Sequence, residues 1–288
     1  MTTASIVNWG QGVDYTFKTR HTWRHGNGAK TAMINTSHFT RLRGRSFPLN
    51  KINQPIIQQA CIELEEEGKS DATINRIISA VSTVMNHLAF DGVIDAAPKF
   101  RRRKELEHRL TWFTKSEVEA MAQAATELWG RPDIAEVVLF ASYSAMRQGE
   151  ILSVRALDVD LSEGVIHVGG RPGFTTKAGN YRSVPIHDRI RPIIEGRMAN
   201  ASSSVRLFGD DWTNKDQLLR AFIKLRRYIG KDESYCFHSL RHSFATWAID
   251  AGVGIRVVQE LLGHRRIETT LRYAKVSDKA RTAAISSI

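Results

Sequence analysis

Between Ser70 or Asp71 and Phe90, apolar residues recur at Ile74, Ile77, Ile78, Val81, Val84, Met85 and Leu88. Steps of three and four place all seven on one stripe of an α-helix. A stripe of that length has to be covered by other helices, and Gly92 supplies its stop. Partners lie just upstream. Gln54 to Glu67 reads as a helix opened by Asn53, with Pro55 in its first turn and Gly68 at its end. Ala29 to Leu42 reads as another, carrying scattered basic residues. The first hundred residues therefore predict a small helical bundle.

After Pro98, the run Arg101, Arg102, Arg103 and Lys104 interrupts the apolar periodicity. It reads as a solvated linker that can also lie along a polyanion. A second domain opens at Thr114, where Glu117 completes a capping box and Phe113 with Val118 supplies a hydrophobic staple. Helical patterning runs on to about Val154. Short β-type runs follow at Val165 to Val168, Phe174 to Lys177 and Arg182 to Ile186, the last two joined by Ala178, Gly179 and Asn180. Helices return at Asn214 to Ile229, Ser239 to Ala251, Ile255 to Leu262 and Ile267 to Val276, with a short final segment from Asp278. The expected fold is mainly α with a small antiparallel sheet. Its domains would be an N-terminal arm (1–25), a helical domain (26–100), a basic linker (101–112) and a mixed α/β domain (113–288).

Charge narrows the partners. Forty-one Lys and Arg against 30 Asp and Glu give +11, with a pI near 9.9. Residues 1–110 carry 16 basic and 10 acidic side chains (+6), which leaves 25 and 20 (+5) for the rest, so both domains could touch one polyanion. The chain has no apolar run long enough for a bilayer and no secretory leader, which points to the cytoplasm and away from membranes. Cys61 and Cys236 stand far apart without ligand-spaced neighbours, so neither a disulfide scaffold nor a zinc finger is expected.

In the helix beginning near Ser239, Leu240, Phe244, Trp247, Ala248 and Ala251 form one face, while His238, Arg241 and His242 point away from it. Ala245 among them would let a ligand approach. Ile267, Leu271 and Ala274 likewise form a stripe that leaves Tyr273 to one side. These polar groups are not required by a core.

Three segments follow in order: His238-Ser239-Leu240-Arg241-His242, Leu261-Leu262-Gly263-His264 and Thr269-Thr270-Leu271-Arg272-Tyr273. Together they resemble the catalytic box of the tyrosine recombinase (phage integrase) family. Upstream, Ser144-Ala145-Met146-Arg147-Gln148-Gly149-Glu150 resembles that family's first arginine motif. Thr176-Lys177-Ala178-Gly179-Asn180, followed by Arg182-Ser183-Val184-Pro185, resembles its lysine turn. One departure is Ala145, where the family often has glycine.

The resemblance implies a helical core-binding domain and a catalytic domain that clamp DNA. Tyr273 would be the nucleophile that forms a 3′-phosphotyrosyl bond, and His238 would accept its proton. Arg147, Arg241 and His264 would bind the phosphoryl oxygens, and Lys177 would protonate the leaving 5′ oxygen. Glu150, three residues after Arg147, would orient that guanidinium or form a plain ion pair. No cofactor or metal is expected, since the chain has neither a GxxxxGK[ST] loop nor a carboxylate cluster. The implied partners are double-stranded DNA with core-type attachment sites, three further copies of the chain in a tetramer docked through residues 277–288, and an accessory DNA-bending or directionality factor. Lys69, Thr73, Asn75 and Arg76 at a helix start are candidate groove-facing residues, and Arg101, Arg102, Arg103 and Lys104 candidate backbone contacts. Phage or mobile-element integration and excision is the preferred role. A Xer-like dimer-resolution enzyme, a type IB topoisomerase-like enzyme, an inactive DNA-binding regulator and a metal-dependent nuclease are the rivals.

Overall fold

The computed structural model describes residues 6–26, 28–105, 110–170, 174, 181–199, 202–209, 211–212 and 215–274. The chain divides into two compact units, Met1–His108 and Arg109–Ile288. Among the described residues no helix is long and apolar enough to cross a membrane.

The first unit contains α1 (Trp9–Thr19), α2 (His21–Arg24), α3 (Ala29–Arg43), α4 (Gln54–Glu66) and α5 (Asp71–Phe90). The Asn53 and Ser70 side chains accept the first free N–H groups of α4 and α5, as Asx and Ser caps do. The stripe of α5 is buried along its whole length, and it packs against α1, α3 and α4. Residues 6–25 do not form a separate arm. Asn8 and Gln11 make a capping box for α1, and Trp9 is fully buried, its indole N–H donating to Thr40 Oγ1 at 2.8 Å. Single aromatic and polar residues gave α1 no long apolar stripe to read, yet Trp9 edge-on to Phe39 helps to seal the bundle.

The second unit begins with α6 (Lys115–Gln123), which runs into a π-helical turn at Ala124–Leu128, and continues with α7 (Pro132–Tyr143) and the short α8 (Gln148–Ile151). The capping box is present: Thr114 Oγ1 accepts from the Glu117 amide at 3.2 Å, and Glu117 accepts from the Thr114 amide at 2.8 Å. Phe113 and Val118 are both fully buried beside it. Strands β1 (Val159–Asp160), β2 (Val165–Val168) and β3 (Arg182–Pro185) form an antiparallel sheet in that order, with Ile166 opposite Val184. Thus β3 pairs with β2. Of the Phe174 to Lys177 run only Phe174, buried, is described; Lys177 and the 178–180 turn lie outside the described residues, as do 277–288. Helices α9 (Arg191–Met198), α10 (Lys215–Tyr228), α11 (His238–Asp250), α12 (Ile255–Leu262) and α13 (Ile267–Ala274) complete the unit. The mainly helical class with a minor antiparallel sheet is what the sequence predicts.

Candidate active site

α7 is apolar on nearly every side and is buried from Ile134 to Tyr143 apart from Glu136, so it forms the axis of the second unit. It stops where the chain reverses through Ala145, at φ +55°. That left-handed conformation costs a side-chain-bearing residue roughly 1–2 kcal/mol, which explains why glycine would suit the position. The reversal sets Arg147 at the start of α8 as its cap residue.

Glu150 then fixes Arg147 from both ends, accepting from the Arg147 backbone N–H and from Nη1, each at 2.9 Å. It also accepts from Arg182 Nη2 at 2.8 Å and Nη1 at 3.3 Å. Arg182 was not foreseen as part of the site, although it lies in the Arg182-Ser183-Val184-Pro185 motif. Its Nε donates to the Leu261 carbonyl at 2.9 Å, while Arg147 Nη2 donates to the Gly263 carbonyl at 3.1 Å. Burial by itself would raise the Glu150 carboxyl, but the hydrogen bonds and charges of Arg182 and Arg147 outweigh it and hold the group down to about 2. The carboxylate is therefore ionised at neutral pH.

α11 packs against α7, α12 and α13. His238, Arg241 and His242 are expected to face away from the core, and of the three only His238 is an exposed residue. Arg241 is 2 % exposed because α12 and the Ala145 turn close over it. Its Nη1 donates to the Ala145 carbonyl and its Nη2 to the Leu262 carbonyl, while its buried Nε has no partner among the described residues. Burial and the nearby charge of Arg147 pull this guanidinium down to about 9, still cationic at neutral pH.

Gly263, at φ +60°, ends α12, and His264 follows with its Nδ1 2.9 Å from Thr270 Oγ1. α13 docks through Thr270 and Tyr273, not through Ile267, Leu271 and Ala274; Leu271 is 42 % exposed and Tyr273 only 3 %. The expectation for Tyr273 is thus corrected. Its ring joins a small apolar cluster with Ala145, Ala245, Ile249, Val258 and Leu262, and lies parallel to the His264 ring at 6.4 Å. Ala245 is fully buried in the cluster that holds this tyrosine. The Tyr273 hydroxyl sits 2.7 Å from His242 Nδ1, so His242, and not His238, is its hydrogen-bonding partner. The signal was present in the fifth position of the His238 to His242 motif. Burial raises the phenol pKa more than the cations Arg241, Arg272 and Arg147 lower it. Cationic neighbours therefore do not activate the phenol in this conformation.

Arg147, Glu150, His238, Arg241, His264 and Tyr273 converge on one region of the second unit, where, among the described residues, the guanidinium groups of Arg147, Arg182 and Arg241 surround the Glu150 carboxylate. The imidazoles answer to that field. Burial, then the charges of Arg241 and Arg147, hold both His264 and His238 down to about 4. Among the described residues no cluster of three or more His, Cys, Asp or Glu could hold a metal ion.

The candidate DNA-reading residues separate. Asn75 is 3 % exposed, and its amide pairs with the backbone of Arg103, donating to the carbonyl and accepting from the N–H at 2.9 Å each. Arg103 in turn donates to Glu65 at 2.7 Å and Asp71 at 3.0 Å. Both are structural groups here, which corrects the groove-facing reading of Asn75 and the free-linker reading of Arg103. Arg76, Arg101, Arg102 and Lys104 stay exposed; Lys69 and Thr73 are half-buried, the latter hydrogen-bonded to the Ser70 cap.

Comparison with known proteins follows the same lines. The family described as "Phage integrase family" matches residues 111–280. The tyrosine recombinase XerA of Thermococcus kodakarensis is 31% identical over 221 residues, covering 74% of each chain. The integrase of Salmonella phage P22 is 23% identical over 78% of this chain and 61% of its own length. Among solved structures, the Tn1549 transposon integrase in complex with a circular intermediate DNA superposes with a TM-score of 0.76 at 16% identity, over 98% of this chain and 99% of that one. A lambda integrase dimer bound to a core site gives 0.73 at 18% identity, over 92% and 95%. At those identities the superpositions establish the fold.

Proposed function

Because the chain belongs to the phage integrase family of tyrosine recombinases, we propose that it cuts and rejoins DNA at specific sites through Tyr273. The phenol oxygen attacks phosphorus, the bond from phosphorus to the 5′ oxygen breaks, and a 3′-phosphotyrosyl link remains. The phenolic proton passes to a histidine of the site, and Lys177 protonates the departing 5′ oxygen. Charge on the equatorial oxygens is met by Arg147 and Arg241, whose forked donors match two phosphate oxygens, and by His264. Resealing is the reverse displacement by another 5′ hydroxyl. The linkage energy is conserved, so no nucleotide or metal ion enters the scheme.

The observation that carries this reading is the meeting of Arg147, Arg241, His264 and Tyr273 around one spot where Glu150, the one carboxylate there among the described residues, is already committed to Arg147 and Arg182. Such a place favours an anion. Its substrate is double-stranded DNA in the cytoplasm, held additionally by Arg76, Arg101, Arg102 and Lys104, with a tetramer assembled through residues 277–288 and an accessory DNA-bending factor where the element needs one. Movement of a phage or related mobile element is the setting we favour. A nicked suicide duplex carrying the genomic flanking sequence tests the reading. The native protein should form a covalent adduct and Tyr273→Phe should not; an adduct formed by the phenylalanine variant would overturn the assignment.

A further inference from the structure

The reaction asks the Tyr273 oxygen to approach a phosphorus atom on a macromolecule, yet that residue is 3 % exposed and its hydroxyl faces the protein. Two kinds of contact keep it there. The ring fills the apolar cluster beside Ala145, Ala245 and Leu262, and the hydroxyl is bound to His242 Nδ1 at 2.7 Å. Filling with an apolar ring is unselective, because any aromatic residue would do it. The imidazole contact is specific to the oxygen.

His242 is itself well placed to hold that oxygen. It lies one turn after His238 on α11, its ring edge-on to His238 at 4.7 Å, and it is half-buried between that ring and α13. Burial first, and then the charges of His238, Arg241 and Arg272, keep the imidazole neutral, with one ring nitrogen a donor and the other an acceptor. The neutral ring can accept the phenolic hydrogen at Nδ1 without taking the proton.

We propose that His242 is a positioning residue that retains Tyr273 in a withdrawn position through the Nδ1 contact, so that this bond must break before the phenol oxygen can attack. The proposal rests on the assignment of Tyr273 as nucleophile. It differs from a general-base role, in which the contact would be kept as attack begins. Losing the bond should raise the fraction of molecules with a free phenol. One ordinary hydrogen bond is worth about 1 kcal/mol, which corresponds to about a fivefold change.

The test compares the native protein with His242→Phe and His242→Asn. Asparagine places a carboxamide oxygen close to the Nδ1 position, whereas phenylalanine keeps the ring shape and removes the acceptor. Without DNA, acetylation of Tyr273 by N-acetylimidazole is followed by mass spectrometry. It should be about fivefold faster in His242→Phe and close to native in His242→Asn, with near-native melting of both variants. On the nicked duplex, His242→Phe should form its adduct faster than the native protein. The proposal fails if Tyr273 acetylation is unchanged in His242→Phe, or if it rises equally in both variants. Slower adduct formation by His242→Phe overturns it in favour of a base. Failure of the nucleophile assignment would appear separately, as an adduct in Tyr273→Phe with the acetylation pattern intact.

Discussion

Arg182 donates through both terminal nitrogens to the carboxylate that also caps Arg147, so Glu150 serves two guanidinium groups drawn from different elements. Removing that carboxylate strands both. Glu150→Ala should lower unfolding stability by about 3–5 kcal/mol, the cost of breaking a buried pair from one side, as read in urea. Glu150→Gln keeps the shape and should lose less stability while still slowing adduct formation. A native-like melt for Glu150→Ala would count against this.

Acid should weaken the second unit over a definite range. His242 and His264 are held down to about 3 and about 4, against an ordinary 6.5. In the unfolded chain they take up protons as pH falls through 6.5, and in the folded chain only near 4 or below. The unfolded state therefore binds more protons in between, and stability falls as pH falls. Glu150 acts in the same direction at lower pH: its contribution is present above 4.5 and is lost as pH drops toward 2. The melting temperature should decline steadily from pH 7 to pH 4, and His264→Asn should flatten part of that slope. Equal slopes in the native protein and the variant would contradict it.

Asn75 is a structural residue, and its substitution should show that. Asn75→Ala leaves the Arg103 N–H and carbonyl without their partners, at a cost of about 1–3 kcal/mol each when buried. A urea melt should show the loss, while the preferred cleavage sequence stays the same. A changed sequence preference with native stability would restore the groove-facing reading.

Much of this architecture was legible, and the misses share one origin. The α5 stripe and the Thr114 capping box are local patterns, each decided by residues within a turn or two, and the structure repeats them. Tyr273 was misplaced because helical periodicity ranks side chains by hydrophobicity, and in an eight-residue helix Thr270 and Tyr273 decided which side faces α11. Arg182 is missed and Asn75 misjudged for a related reason: their partners Glu150 and Arg103 lie 32 and 28 residues away, where no local spacing points. The motif residues themselves could be named because their order along the chain does not depend on such pairings.

Ala145 allows a graded test of the turn before Arg147. Ala145→Gly should relieve a strained φ of +55° and shift stability by no more than about 1 kcal/mol. Ala145→Val, branched at Cβ in that conformation and fully buried, should destabilise by more than about 2 kcal/mol and slow adduct formation. Thermal melts and the nicked duplex read both effects. A stable, active valine variant would show that the turn tolerates what its geometry forbids.

Chelation gives the last comparison. If guanidinium groups carry the charge on phosphorus, adduct yield on the nicked duplex should be the same with EDTA as without it. A yield abolished by EDTA and restored by a divalent cation would require a different chemistry.

Arg241 ties the Ala145 and Leu262 carbonyls together from inside the unit, so the side chain proposed to hold the phosphate is also a rivet of the scaffold. Random inactivation of the gene would then produce two unlike kinds of casualty. Lesions at Arg241 would leave misfolded chains for proteases to clear, whereas, if Tyr273 is the nucleophile and the chain acts in the proposed tetramer, conservative lesions there would leave intact, inert subunits that poison their functional siblings.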